Sequence, residues 1–157
     1  MVSRDRDELG RACAALWAGH LREAVRAFPR IPDDLELPPV QTLAYAQDLL
    51  NRGLAFNAHE VLETAWKTSP DDERALWQSL AQLAVGITHV QRGNVKGALT
   101  VLHRASAHLA QHDRPAPYAI DAAGLNDHVD ALIEDLQTGA EVSPERVRPR
   151  LVIGQTP

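Results

Sequence analysis

At 157 residues the chain is sized for one domain, since domains usually run about 100–200 residues. Hydrophobic residues at 45%, charged residues at 24% and aromatics at only 4% exclude wholesale disorder and disfavour a strand-rich sandwich, which wants β-branched and aromatic residues. A formal net charge of −5 gives no general attraction to nucleic acid or an anionic membrane, one cysteine excludes an internal disulfide framework, and no apolar run approaches the roughly 20 residues that span a bilayer.

The first ten residues are too charged for a signal peptide, so a cytoplasmic protein is expected. Leu9, Cys13, Leu16, Trp17, Leu21, Ala24, Val25 and Phe28 recur at three- and four-residue steps. That period predicts an amphipathic helix over residues 4–28. Four prolines between 29 and 39 then predict a linker. A second helix is expected over 40–52, stopped by Gly53, and a third over 54–67. Ser69-Pro70-Asp71-Asp72 reads as a turn, with Ser69 or Asp71 available as a cap.

Residues 72–92 read as the most buried helix, because Leu76, Trp77, Leu80, Leu83, Ala84, Ile87 and Val90 leave almost no polar face. Gly93 stops it, and Asn94 can cap the next helix, which runs to about residue 110. A last helix is expected over 120–138. Leu151-Val152-Ile153 offers a docking or edge-strand segment, but the basic, Pro-containing stretch 142–157 reads first as a flexible tail.

A weak repeat accompanies this order. Arg52-Gly53, Ala58, Leu62 and Ala65 match Arg92-Gly93, Ala98, Leu102 and Ala105 at an offset of 40. Each copy is the bend and second helix of a helical hairpin. The expected fold is therefore all-α: a compact bundle of two antiparallel hairpins with flanking N- and C-terminal helices in a single domain over 1–157.

Two polar residues fall within an apolar stripe. At 100° per residue, His59 and Glu63 lie between Phe56, Leu62 and Trp66, with Glu60 on the border. In the repeat, the counterpart of His59 is Leu99, so imidazole stands where a core leucine is expected. A buried carboxylate needs partners, and the following helix offers Gln82 and His89 on one side, with Gly86 between them and Arg92 as a counter-charge. Three readings of this cluster compete. It is a hydrogen-bond network that fixes helix register, a metal-free pocket with a glutamate base and a histidine acid, or a divalent-metal site of His59, Glu63 and His89. Trp66 and Trp77 read as core or pocket lining.

The residues around this cluster resemble a bacterial family, the one catalogued as domain of unknown function 309. The resemblance rests on Leu50-Asn51-Arg52-Gly53, Phe56, Ala58-His59-Glu60-Val61-Leu62-Glu63 and Trp66, then on Leu80, Gln82, Leu83-Ala84, His89, Arg92-Gly93-Asn94 and Gly97-Ala98. It covers roughly residues 44–109. Asn57 stands where the family commonly has an acidic residue, and Ser79 where it commonly has glycine. The resemblance implies an all-helical fold and supplies neither substrate nor cofactor.

The expected function is a binding or scaffold role built on a buried polar site of His59, Glu60, Glu63, Gln82, His89 and Arg92, with an unknown small molecule or protein as partner and a homodimer as a plausible form. The alternatives are a small metal-dependent hydrolase or oxidoreductase using His59, Glu63 and His89, and a tetratricopeptide-like protein-interaction module.

Overall fold

A computed structural model of the chain describes residues 37–112 and 115–153. The helix expected over 4–28, most of the linker expected over 29–39 and residues 154–157 lie outside the described residues.

Among the described residues five α-helices follow one another: α1 (Pro39–Asn51), α2 (Ala55–Thr68), α3 (Arg74–Gln91), α4 (Val95–Ala110) and α5 (Ala122–Thr138). Each packs on the next in the chain. Among the described residues there is no strand, only an antiparallel bridge between Ile120 and Val152. The fold is thus the all-α bundle that composition and periodicity predict, with hairpins α1–α2 and α3–α4 followed by α5. Among the described residues no helix is long and apolar enough to cross a membrane.

The helix ends follow from local chemistry. Pro39 opens α1, where its missing N–H costs nothing and its ring presets the backbone. Asn94 caps α4 by accepting the Gly97 N–H at 3.0 Å, and Asp121 caps α5 by accepting the Gly124 N–H at 3.0 Å. Gly139 closes α5 in the left-handed conformation. The turn before α3 differs from expectation. Neither Ser69 nor Asp71 caps a helix; the Ser69 hydroxyl donates backwards to the Trp66 carbonyl at 3.0 Å and closes α2 instead.

The repeat at offset 40 is a backbone repeat. Gly53 and Gly93 have φ of +79° and +76°. Leu54 N donates to Leu49 O at 2.9 Å, and Asn94 N to His89 O at 2.9 Å. Such left-handed positions favour glycine because a Cβ crowds the backbone there, so Arg-Gly at both places produces the same sharp reversal between helices.

Helix α3 lies between its neighbours and supplies the centre of the core. Trp77, Leu80, Leu83, Ala84 and Ile87 are buried, together with Leu49, Leu50, Leu62, Leu102 and Leu109 from the flanking helices. Each large apolar side chain removed from water contributes about 1.5–3 kcal/mol before entropy is counted. At Gly86 α3 receives the Leu102 side chain of α4 closely: a Cβ there would lie 2.5 Å from Leu102 Cδ2. The space that Gly86 leaves is thus used by α4 and not by the helix of His59.

Residues 144–153 do not behave as the flexible tail expected. A 3-10 turn at Pro144–Val147 leads into an extended segment, and Leu151 is fully buried. Gln47, itself buried in α1, donates from Nε2 to Pro149 O and accepts at Oε1 from Leu151 N, both at 2.8 Å. Proline and basic residues obscured this, because the main chain and two buried side chains hold the segment while the arginines at 148 and 150 stay exposed.

Candidate functional site

Helix α2 carries the pair that sequence reading singled out. His59 Nε2 lies 3.4 Å from Glu63 Oε1, and Lys67 Nζ lies 3.6 Å from Glu63 Oε2. The three residues follow at four-residue steps, so they climb one face of the helix as a ladder. Their side chains are 21%, 33% and 66% exposed from His59 to Lys67, so the ladder runs from half-buried to open. The Phe56 ring sits 5.9 Å from the His59 ring, tilted by 46°. His59 Nδ1 is buried without a hydrogen-bond partner. Burial pulls the His59 pKa below its ordinary value, the Glu63 carboxylate pulls it back up, and Lys67 pushes it down again. Neutral imidazole with its proton on Nε2, donated toward Glu63, suits this arrangement.

The other residues of the expected cluster go elsewhere. Glu60 lies on the α1 side of α2, where its charge and that of Asp48 help raise the Tyr45 pKa, after burial of the phenol itself. Gln82 points to α4: its Oε1 accepts from His108 Nδ1 at 3.1 Å. His89 belongs to the bend after α3, where Nδ1 lies 3.1 Å from the Asn94 amide nitrogen. Asn94 Oδ1 is already committed to the Gly97 N–H, so the amide NH2 faces His89 and Nδ1 must accept. Gly97 leaves the room for this, since a Cβ there would approach Asn94 Nδ2 and His89 Cε1. His89, Asn94 and Gly97 thus form one helix cap. Arg92 is exposed at the same bend, and its charge adds to burial in lowering the His89 pKa. Trp77 is core, whereas Trp66 is half-buried and Phe56 lies at the core edge.

The expected buried polar site is therefore corrected. No histidine or charged residue is fully buried among the described residues, and His59, Glu63, Gln82 and His89 do not converge. The physical reason is the position of α3. It packs against both α2 and α4, and Gln82 and His89 share the face turned to α4. Leu99, the counterpart of His59, is itself only half-buried and not a core leucine, so the position borders the core in both copies. The metal-dependent hydrolase or oxidoreductase falls with the cluster. Among the described residues no group of three or more His, Cys, Asp or Glu side chains is placed to hold a metal ion, so the donor set for a divalent cofactor is not assembled. The tetratricopeptide-like alternative is corrected too. Among the described residues two hairpins are followed by α5 and the docked residues 149–153, which is not a repeat array of three or more copies.

Three polar constellations escaped the sequence reading. Gln47 is the clearest, and a signal existed: it stands four residues after Leu43 and three before Leu50, inside the stripe that buries α1. A second joins Glu73, Trp77 and Tyr118. The Tyr118 hydroxyl donates to the Glu73 carboxylate at 3.1 and 2.9 Å, and Trp77 Nε1 donates to the same group at 3.2 Å. The third joins His128, Asp135 and Arg146. His128 Nε2 donates to the Arg146 carbonyl at 2.8 Å, and Arg146 Nε pairs with Asp135 at 2.8 Å. The last two bridge positions far apart in sequence, where periodicity carries no information.

The family that matches this chain does so over a segment of the helical hairpins. Residues 43–101 match the family described as Domain of unknown function (DUF309). The "Uncharacterized protein YpuF" of Bacillus subtilis (strain 168) is 31% identical over 85 residues, covering 53% of this chain and 49% of the relative. The chain thus spans about half the length of the curated relative it matches. No solved structure matches. Over residues 43–101 the chain is similar to the DUF309 family, which its two motif blocks also resemble.

Proposed function

We propose that this protein works by protein–protein association through the ladder face of α2, with a second copy of itself as the first partner. The observation that carries the reading is the Glu63–Lys67 step, in which opposite charges one turn apart emerge beside the half-buried Trp66. In a two-fold arrangement the same patch meets itself, so residue i faces j and j faces i. Two α2 helices laid antiparallel would place each Glu63 opposite the other copy's Lys67. The half-buried Trp66 adds aromatic surface of the kind enriched in protein interfaces. The site residues in this reading are His59, Glu63, Lys67 and Trp66, and none needs a metal. The composition, with its single cysteine, supports a cytoplasmic setting for such a domain.

Sedimentation velocity over a concentration series tests this. The wild-type protein is expected to show a monomer–dimer equilibrium, Glu63→Lys and Lys67→Glu alone to shift it toward monomer, and the double exchange to restore it. A wild-type protein that stays monomeric at every concentration, or a double exchange that restores nothing, overturns the proposal.

A further inference from the structure

The strap formed by residues 149–153 is held in the manner of a bound peptide. Pro149 and Leu151 point inward and are buried, while Arg150 between them is exposed. That alternation is the period of an extended chain. Its main chain is read at four successive points. Pro149 O accepts from Gln47 Nε2, and Leu151 N donates to Gln47 Oε1. Leu151 O accepts from Asp121 N at 2.9 Å, and Ile153 N donates to Ala119 O at 2.8 Å. Main-chain hydrogen bonds with burial of alternate side chains are the physics of strand addition to a receptor edge.

The receptor half of this site is fixed by contacts that do not involve the strap. Tyr118 and Ala119 both have φ of +58°, a conformation costly for residues other than glycine. The Tyr118 hydroxyl anchors this turn to Glu73. Asp121 is held by its capping bond to Gly124. Gln47 is oriented by a bond from Nε2 to Asn51 Oδ1 at 3.1 Å. The strap also has a separate anchor upstream, where Arg146 binds Asp135 and its carbonyl accepts from His128. Release of 149–153 therefore does not require release of the 3-10 turn that precedes it.

We propose that the surface formed by Gln47 and residues 119–121 is a recognition site for an extended Pro-x-Leu peptide followed by β-branched residues, occupied in cis by residues 149–153 and open to the same chemistry supplied in trans by a partner protein. The cis strap then acts as a built-in competitor that sets the threshold for the partner. This site is separate from the α2 ladder, and neither proposal depends on the other.

The test uses the full chain and a labelled peptide, Val-Arg-Pro-Arg-Leu-Val-Ile, that copies residues 147–153. Fluorescence anisotropy is expected to show weak binding to the wild type, since its own strap fills the site. Leu151→Ala in the chain weakens the strap and leaves the receptor intact, so the peptide should bind at least about tenfold more tightly, as a buried leucine anchor contributes more than the 1.4 kcal/mol this requires. Adding Gln47→Ala to that chain should abolish the gain, and so should aspartate in place of leucine in the peptide. No gain in a Leu151→Ala chain that still unfolds cooperatively overturns the proposal. If that variant does not fold, hydrogen exchange of the wild type decides. Leu151 and Ile153 amides that exchange well before those of α3 support a releasable strap, and amides that exchange only with global unfolding overturn it.

Discussion

The two bends, at residues 49–58 and 89–98, share one backbone and solve its problem with different side chains. Both place glycine at φ near +78°, and both close with the same pair of hydrogen bonds. At the position after glycine they part. Leu54 makes no capping hydrogen bond and is only 7% exposed. Asn94 is exposed, caps Gly97 and is steadied by His89. One bend is thus secured by burial and the other by hydrogen bonding. The Arg-Gly step sets the reversal, and the next residue secures it by whichever means its surroundings allow. The cap at the second bend accounts for the joint occurrence of His89, Asn94 and Gly97 there.

Leu54→Ala is the largest expected break in this comparison. Truncating a buried leucine loses transfer energy and leaves a cavity, so chemical denaturation should show a loss of about 2–4 kcal/mol. Gly86→Ala comes next. Its counterpart at offset 40 is Ala46, which the first hairpin buries completely. In the second hairpin the added methyl would meet Leu102 Cδ2 and Cγ at 2.5 and 2.7 Å. Leu102 is itself fully buried and has little room to withdraw. Overpacking of this kind costs about 1–3 kcal/mol, so alanine is expected to be harmful at 86 although nature uses it at 46. A neutral Gly86→Ala would mean that α4 shifts freely against α3. Asn94→Ala should cost less, about 1 kcal/mol for a lost cap, and thermal unfolding of this variant beside Leu54→Ala would show burial outweighing the hydrogen bond.

Much of the fold was legible because its causes are local. Apolar periodicity placed α1 to α5, and Arg-Gly at 52–53 and 92–93 marked both reversals. The polar site was harder for a definite reason. A helical wheel shows that His59 and Glu63 share a face, but it does not show which neighbour that face meets, nor how far the neighbour covers it. Gln82 and His89 share one side of α3 as their spacing predicts, and that side faces α4. Gln47 was as visible as His59 by the same wheel, and its partners at 149 and 151 were not, since a main-chain acceptor and donor a hundred residues away leave no mark in composition. Tyr118 and Glu73 were hidden likewise, and the left-handed pair at 118–119 has no glycine to announce it.

The smallest expected effect is a pH dependence, and it separates three histidines that sequence alone treats alike. His59, His89 and His128 are each held below the ordinary value of 6.5, and burial is the first cause at all three. The sign follows from proton binding. Above about pH 6.5 these groups are neutral in both folded and unfolded chains and contribute no slope. Below it the unfolded chain takes up protons that the folded chain resists, so stability falls as the medium is acidified through the unfolded value toward the lower folded ones. The three differ in what a proton does. At His89 it turns Nδ1 from acceptor to donor against the Asn94 amide, which works against the cap. At His128 the Nε2 bond to the Arg146 carbonyl survives, because that nitrogen already donates. At His59 the Glu63 carboxylate partly offsets the cost of burial. His59→Leu installs the residue that Leu99 supplies in the second copy, and it removes one of the three contributions. Urea unfolding of this variant at about pH 7.5 and pH 5.5 should therefore show a smaller acid loss than the wild type. An equal or larger loss would mean that attraction to Glu63 outweighs burial at His59, and that protonation there holds the helix together.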